Sequence, residues 1–342
     1  MTESDHAAPP GLEGEAFLPA AQAAKDAFCL SDGSLAFIGH SDTCTYRVTR
    51  PGHPGSYLLR LHTPLLQIRQ SIWYKRDVIE SELLWLSALR EEGNLLVQRP
   101  LRMSDGTGTV VVYLDRTNAK PVVCSLLEWI EGERPSSSNA ELAALEGRLM
   151  AQLHAHASSW CLPSGFLRPS YDDARALKAL ASLAPEHTSV VSAEAYAVLG
   201  AVVDRICRIM SELGQDAKSW SLIHADVHPS NVILDRNGNL VPIDFGSCGF
   251  GYYLFDLAWT LSYFAPDLRP DFLNAYQEVR ELPPAFFTHV GAFHLAALID
   301  SLSFWSNNPG DQAWAAEFLP GFLQDQCRPF LAEQPFYKLD GR

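Results

Sequence analysis

The run Leu222-Ile223-His224-Ala225-Asp226-Val227-His228-Pro229-Ser230-Asn231, answered by Ile243-Asp244-Phe245-Gly246, constrains this chain more than any other feature. It supplies three oxygen-bearing side chains, Asp226, Asn231 and Asp244, within one short stretch. Phosphoryl transfer from a magnesium nucleotide needs such groups, because Mg²⁺ takes oxygen ligands and an attacking hydroxyl needs a base or an orienting acceptor. Between them, Val232-Ile233-Leu234 and Leu240-Val241-Pro242-Ile243 are β-rich segments flanking Asn237-Gly238, the dipeptide favoured in two-residue hairpin turns. A hairpin centred there sets Asn231 directly opposite Asp244, and directly opposed Cβ atoms lie about 4.5–5.5 Å apart. One Mg²⁺, with ligand bonds of about 2.0–2.1 Å, could then be held by both side chains. Asp226 precedes the hairpin on a loop stiffened by Pro229 and can stand beside the metal as base or orienter.

An ordinary hairpin with polar flanks accounts for any one of these acids alone. The full set, His-x-Asp-x-His-x-x-Asn followed by a hairpin and Asp-Phe-Gly, matches several roles in one context. It resembles the catalytic and metal-binding segments of the aminoglycoside phosphotransferase and choline kinase-like family. The continuation from Cys248 to Ala258 is similar to that family as well, in its Asp256-Leu257-Ala258. The resemblance runs from about Phe37 to Tyr276 and is most specific between His224 and Ala258. It implies a bilobal, protein-kinase-like α+β fold, with a small β-rich N-lobe and a larger, mainly helical C-lobe. It also implies transfer of the ATP γ-phosphate to a hydroxyl, with Asp226 catalytic and Mg²⁺ held by Asn231 and Asp244. Relatives sometimes carry extra acids after the metal-binding Asp; here Gly246 and Ser247 stand instead, which weakens any claim for a third acidic ligand.

Composition agrees with a large core. A chain of 342 residues, 47% hydrophobic and 19% charged, favours about two domains or lobes. A formal net charge of −14 argues against a nucleic-acid backbone as partner, since such binders need basic surface. It permits a cationic acceptor such as choline or an aminoglycoside, although acidic surface more often serves solubility. Seven scattered cysteines without a CxxC pair suit reduced thiols in a cytoplasm better than disulfides or zinc. The acidic, Ala/Pro-rich N-terminus lacks the basic region and apolar core of a signal peptide. The apolar stretch Phe286–Ile299 is interrupted by His289 and His294, so no membrane span is expected.

The texture along the chain predicts a flexible tail or marginal helix over 1–25, an N-lobe over 26–127, a linker over 128–135 and a helical C-lobe over 136–342. In the N-lobe, strands are expected at Leu35–Ile38, Thr45–Val48, Ser56–Leu61, Val110–Leu114 and Val122–Leu127, with a helix over Arg76–Arg90. In the C-lobe, Asn139 is a candidate N-cap for a helix carrying Leu142, Leu145, Leu149 and Leu153 at spacings of three and four. Further helices are expected over Glu194–Leu213, Leu257–Phe264 and Phe286–Asn307.

Helical-wheel geometry selects one acid in the N-lobe helix. Val78, Ile79, Leu83, Leu86 and Leu89 form its apolar stripe, with Glu82 in the centre and Glu80 well off it. A carboxylate facing a core needs a partner, and Arg60 in Tyr57-Leu58-Leu59-Arg60-Leu61 is the best candidate. The pair resembles the kinase arrangement in which a strand cation, placed by a helix Glu, holds the α/β-phosphates. A structural ion pair without ligand contact is the plainer alternative. Protein kinases use Lys there, and Arg is a planar, bidentate substitute suited to phosphate oxygens.

Gly39-His40-Ser41-Asp42-Thr43 lacks a G-x-G-x-x-G, yet the Ser41 and Thr43 hydroxyls could touch the β-phosphate, as the family's Gly-poor loops imply. Cys124–Gly132 is similar to the family linker, so Glu128 and Ile130 would offer main-chain groups to adenine. His224 is expected to brace its loop, His228 to approach the phosphate or stay behind it, and His154 to pack or cap. Asp256 is expected to accept backbone hydrogen bonds from the catalytic loop or cap the helix at Leu257. The helical lobe would build the acceptor site, with Asp300, Trp305 and Trp314 as candidates. Three functions remain open: a small-molecule kinase acting on an amino alcohol, aminoglycoside, homoserine-like or sugar hydroxyl; a stress-type protein Ser/Thr kinase; and a non-catalytic nucleotide-binding scaffold.

Overall fold

Period-two burial produces the first sheet: in β2 (Cys44–Thr49), Cys44, Tyr46 and Val48 are buried while Thr45 and Arg47 are less so. The computed structural model describes residues 12–63, 71–114 and 121–340. By backbone contacts the chain divides into two units, the first formed by Met1–Glu133, Leu162–Arg168 and Ile233–Gly246, the second by Arg134–Cys161, Pro169–Val232 and Ser247–Arg342. Two later segments, Leu162–Arg168 and Ile233–Gly246, thus return to the first unit, so the division is not a single cut of the sequence.

In the first unit, β1 (Ser34–His40), β2, β3 (Ser56–Leu61), β4 (Thr109–Tyr113) and β5 (Pro121–Glu128) form one antiparallel sheet in the order β1-β2-β3-β5-β4. One face buries Cys44, Tyr46, Val48, Leu59, Leu61, Cys124 and Leu126 against Ala20, Ala21 and Ala24. Those alanines belong to α1 (Leu12–Ala27), so of the two alternatives for 1–25, tail or marginal helix, the helix is present from Leu12. The Lys25 ammonium, 1% exposed, donates to the carbonyls of Ser31 and Gly33 at 2.8 and 2.9 Å, and the Tyr46 hydroxyl donates to Gly14 O at 2.6 Å. Small residues make this contact, so no stripe of large apolar side chains marked it in the sequence. The α2 helix (Arg76–Glu91) buries Val78, Ile79, Glu82, Leu83, Leu86 and Leu89.

A second sheet in this unit runs β6 (Gly132–Glu133), β9 (Val232–Asp235) and β10 (Leu240–Pro242), with β9 central. Glycine is required at 132, since a Cβ there would stand 2.2 Å from Leu234 O. The β9–β10 turn corrects the expected two-residue loop. Asp235 N–H donates to Asn239 O at 2.9 Å and Gly238 N–H to Asp235 O at 3.0 Å, with Gly238 at φ +80°. This is a three-residue loop with glycine in the left-handed position. The Asp235 carboxylate stabilises it by accepting from the Asn239 side chain and the N–H groups of Asn237 and Asn239, contacts that hold its pKa below the usual carboxylate value. The register argument that set Asn231 opposite Asp244 required a two-residue turn and fails in that form.

The second unit is mainly helical. Asn139 caps α3 (Ala140–Ser159) by accepting from Leu142 N–H at 2.8 Å. Further helices are α4 (Asp173–Ser182), α5 (Ala193–Leu213), α6 (Tyr253–Ser262), α7 (Arg269–Gln277), α8 (Phe286–Asn307) and α9 (Gln312–Phe322). Gly147 lets α3 approach α7, because a Cβ there would meet Phe272 O at 2.2 Å. α8 is buried on most of its circumference, including Val290, Phe293, Leu295, Leu298, Ile299 and Leu302, which explains its weak periodicity. A small sheet of β7 (Ser170–Tyr171), β8 (Trp220–Ile223) and β11 (Gly249–Tyr252) has β11 in its middle. All seven cysteines are free thiols. No helix among the described residues is long and apolar enough to cross a membrane.

Candidate active site

In the second unit, β8 delivers the chain into His224-Ala225-Asp226, and Asp256 in the first turn of α6 fixes that entry. The Asp256 carboxylate accepts from His224 N–H at 2.9 Å and Ala225 N–H at 2.6 Å. His154 Nε2 lies 3.1 Å from the same carboxylate while its Nδ1 lies 2.9 Å from the Tyr276 hydroxyl. Burial lowers the His154 pKa against the pull of Asp256; the neutral ring donates from Nε2 and accepts at Nδ1. Asp256 and His154 are both fully buried, so three N–H donors converge on one carboxylate out of water. Their hold tolerates Ala225 at φ 64°, a left-handed conformation costing an L-residue about 1–2 kcal/mol. Farther along, Val227 O accepts from Thr260 Oγ1 at 3.0 Å.

Asn231 then holds Asp226. Its Nδ2 lies 3.0 Å from Asp226 O and 3.1 Å from Asp226 Oδ2, which turns Oδ1 away from that carboxylate. The ring of His228 stacks on Tyr263, with centroids 5.1 Å apart and planes 17° apart. Its Nδ1 accepts from Ser230 N–H at 3.3 Å, and its Nε2 is 3.0 Å from Asn231 Nδ2 and 3.6 Å from Asp226 Oδ1. Asn231 Nδ2 can only donate, so Ser230 N–H and the Asn231 amide each point a donor at this ring. The Asp226 side chain retains 30% exposure. A carboxylate held from its own loop yet open to solvent can orient or deprotonate a hydroxyl. His224 is fully buried and has no such access.

In the first unit, Arg60 Nη1 meets Glu82 Oε1 at 2.7 Å, and Arg60 Nε donates to Ser125 Oγ at 3.1 Å. The Arg60 Nη2 group is buried and has no hydrogen-bond partner among the described residues. Glu80 instead turns to the Gly108 N–H, at 3.0 Å, and the Thr109 hydroxyl, so the helical wheel separated the two acids. Arg168 joins the same cluster: Nη1 donates to Val78 O at 3.1 Å and stands 3.9 Å from Glu82 Oε2, while Nη2 donates to Gly246 O at 2.7 Å. His62 Nε2 is 2.9 Å from Ser125 Oγ. Burial, reinforced by the charges of Arg60 and Arg168, pushes the His62 pKa well below its ordinary value. The cluster therefore holds two guanidinium groups around one carboxylate.

Asp244 follows β10, exposed and at φ 61°. Phe245 beside it is buried with its ring edge on Trp85 of α2 at 5.5 Å, so the backbone turns one side chain inward and the other out. In the β1–β2 turn, Ser41 N–H donates to Thr43 O at 3.2 Å; Ser41 is exposed and Thr43 half-buried. At the end of β5, Glu128 N–H is occupied by Arg99 O at 2.8 Å, while Glu128 O accepts from Gln98 Nε2 at a long 3.3 Å. Ile130 is half-buried.

Of the acceptor candidates, Trp305 and Trp314 meet edge to face at 4.4 Å, and Trp314 stacks on Phe318 at 5.1 Å. Asp300 is engaged by Arg175 in two bonds of 2.9 and 2.7 Å. Sequence reasoning missed Arg168, whose partners lie far away in the chain. It also missed His62 and Ser125, which could have been found: His62 shares a strand face with Arg60, and Ser125 pairs across the sheet with Arg60. No group of three or more His, Cys, Asp or Glu among the described residues could hold a metal ion.

Residues 36–288 match the model of APH, the phosphotransferase enzyme family. An uncharacterised protein of Deinococcus radiodurans is 27% identical over 231 residues, covering 65% of this chain and 64% of the relative, so the match spans less than two thirds of that relative's length. Among solved structures, a microcompartment-associated aminopropanol kinase superposes with a TM-score of 0.70 at 25% identity, covering 90% of this chain and 95% of the other. An amicoumacin kinase in complex with AMP-PNP and Ca²⁺ gives 0.69 at 17% identity, covering 90% of each chain. A Plasmodium vivax ethanolamine kinase gives 0.60 at 15% identity, covering 88% of this chain and 84% of the other. These chains share the kinase-like α+β fold.

Proposed function

Because the chain belongs to the phosphotransferase enzyme family, we propose that it transfers the γ-phosphate of ATP to a hydroxyl of a small molecule. The observation that carries this reading is Arg60: it is fixed on two sides by Glu82 and Ser125, while Nη2 is buried without an acceptor among the described residues. An unsatisfied buried donor costs about 1–3 kcal/mol. A phosphate oxygen would supply the missing acceptor, and the surplus of guanidinium over carboxylate favours an anion there. Ser41 and Thr43 would add hydroxyls toward the phosphates, and Glu128 O with Ile130 N–H would meet the base.

Asp226 acts on the acceptor hydroxyl, orienting it or taking its proton as the oxygen attacks phosphorus. Asn231 N–H and the His228 ring keep that carboxylate from rotating away. Asn231 Oδ1 and the exposed Asp244 carboxylate are hard oxygen donors that suit Mg²⁺, and the Asn231 amide is already oriented by its bonds to Asp226. When bound, the ion would neutralise phosphate charge. The protein's contribution is positioning and charge placement.

An amino alcohol is the favoured acceptor class. The structural neighbours named for aminopropanol and ethanolamine support it, as does the net charge of −14. The test is a coupled ATP-consumption assay of the purified protein against amino alcohols, aminoglycosides, homoserine-like compounds, sugars and generic protein substrates. Transfer to an amino alcohol is the expected result. Transfer to protein serine or threonine alone would replace it with a protein-kinase reading. Nucleotide binding without transfer to any class would leave a scaffold. Asp226→Asn should retain nucleotide binding by calorimetry while transfer falls by about 10²-fold or more. Arg60→Ala should raise the nucleotide KM or Kd by about tenfold, in line with a lost charge-assisted hydrogen bond.

A further inference from the structure

We infer that Arg168 is a positioning residue that ties the Glu82–Arg60 pair to the segment bearing Asp244, and so sets the affinity for the divalent cation. The inference deepens the proposed phosphotransferase reading and rests on it. Arg168 belongs to the strap Leu162–Arg168, which returns to the first unit between two segments of the second. The strap docks on α2 through two bonds, Leu167 N–H to Ser81 Oγ at 2.9 Å and Arg168 Nη1 to Val78 O at 3.1 Å. From there Arg168 Nη2 reaches Gly246 O at 2.7 Å, two residues beyond Asp244.

The residue types fit this task. A guanidinium is planar and presents donors along several edges, so one group can serve a helix carbonyl, a helix carboxylate and a loop carbonyl together. Its face lies over Trp73 at 5.1 Å, and the side chain is 1% exposed, which restricts it to that plane. Phe245 packs against Trp85 on α2, and Gly246 leaves room for Asp244, since a Cβ at 246 would be 3.2 Å from Asp244 Oδ1. The backbone that follows Asp244 is therefore referred to α2, the helix that also presents Glu82 to Arg60. A lysine at 168 would keep the charge but offer a single ammonium, unable to span Val78 O and Gly246 O in the same geometry.

The test uses the full chain with Arg168→Lys and Arg168→Met, and AMP-PNP as the nucleotide probe, titrated calorimetrically with and without Mg²⁺. Melting temperatures establish that each variant is folded; if Arg168→Met is not, Arg168→Lys decides. Arg168→Lys keeps the charge beside Glu82, so the ratio of its affinities with and without Mg²⁺ is the readout; Arg168→Met also removes a cation from the cluster and should lower metal-free nucleotide affinity as well. The gain in affinity produced by Mg²⁺, and the Mg²⁺ concentration for half-maximal turnover, should worsen by about 10–100-fold, the range for losing an outer support of a metal ligand. In an Asp244→Ala background the Mg²⁺-dependent gain should already be lost, so Arg168→Lys should add nothing. Folded Arg168 variants with the wild-type Mg²⁺ gain would overturn the inference, whatever their stability. A wild-type protein that gains no affinity from Mg²⁺ would overturn the metal reading itself, and the coupling with it, before any variant is made.

Discussion

Ala225 and Asp244 are held at φ 64° and 61°, and each sits within or beside a segment to which chemistry is assigned. Backbone in this region costs an L-residue energy and persists only where its surroundings over-determine it. At Ala225 the determinant is visible: Asp256 takes the N–H groups of residues 224 and 225 together, and the peptide must turn to present both. The left-handed turn then aims Asp226 toward Asn231 rather than along β8. A β-branched side chain is least tolerated there. Ala225→Val should therefore destabilise the protein by about 2 kcal/mol or more and depress transfer. Ala225→Gly, which suits the conformation, should keep turnover within about twofold. Thermal melting and turnover on the two variants check the contrast; equal behaviour would remove strain at 225 from the account.

At the scale of elements, α6 acts on the loop through its first turn. Asp256 serves His224 N–H, Ala225 N–H and His154 Nε2, and Asn at 256 would set an amide N–H against at least one of them. Asp256→Asn should cost about 3 kcal/mol, as for a broken buried charge network, and lower kcat far more than it raises the nucleotide KM, because Arg60 and Glu82 are untouched. A matching rise in KM would mean the loop does more than carry Asp226. The backbone bonds of Asp256 were legible because Asp256 has its own motif; its contact with His154 was not, since the two meet only in the folded chain. The Arg60–Glu82 pairing was legible too, since an acid in the middle of an apolar stripe must find a cation. The β9–β10 turn was misread: Asn237-Gly238 invites a two-residue loop, but Asp235 captures the N–H groups of residues 237 and 239 and wins a longer one. The α1 helix stood only as a marginal alternative to a tail, because alanines mark its buried side. Arg168 left no trace, because its partners at 78, 82 and 246 come together only in the folded chain.

Across the whole molecule, stability should carry the signature of a buried acid away from the proposed chemistry. Glu146 in α3 is 0% exposed, and neither carboxyl oxygen has a hydrogen-bond partner among the described residues. Burial pushes its pKa up to about 8 from an ordinary value of 4.5. The folded chain thus holds a proton at 146 that the unfolded chain releases across this window. Where the native state binds more protons than the unfolded one, stability falls as pH rises. The penalty is absent below about pH 4.5, grows through neutrality and levels off above about pH 8. Glu146→Gln keeps the shape without a charge to lose, although its amide also needs partners. Its melting temperature relative to wild type should therefore climb steadily from pH 5 to pH 8. Paired melting curves across that range, corrected by the same comparison for an exposed acid such as Glu194, measure the slope. A constant offset between wild type and Glu146→Gln would show that residue 146 gains a counter-charge or water in solution and that its carboxyl ionises in the ordinary range.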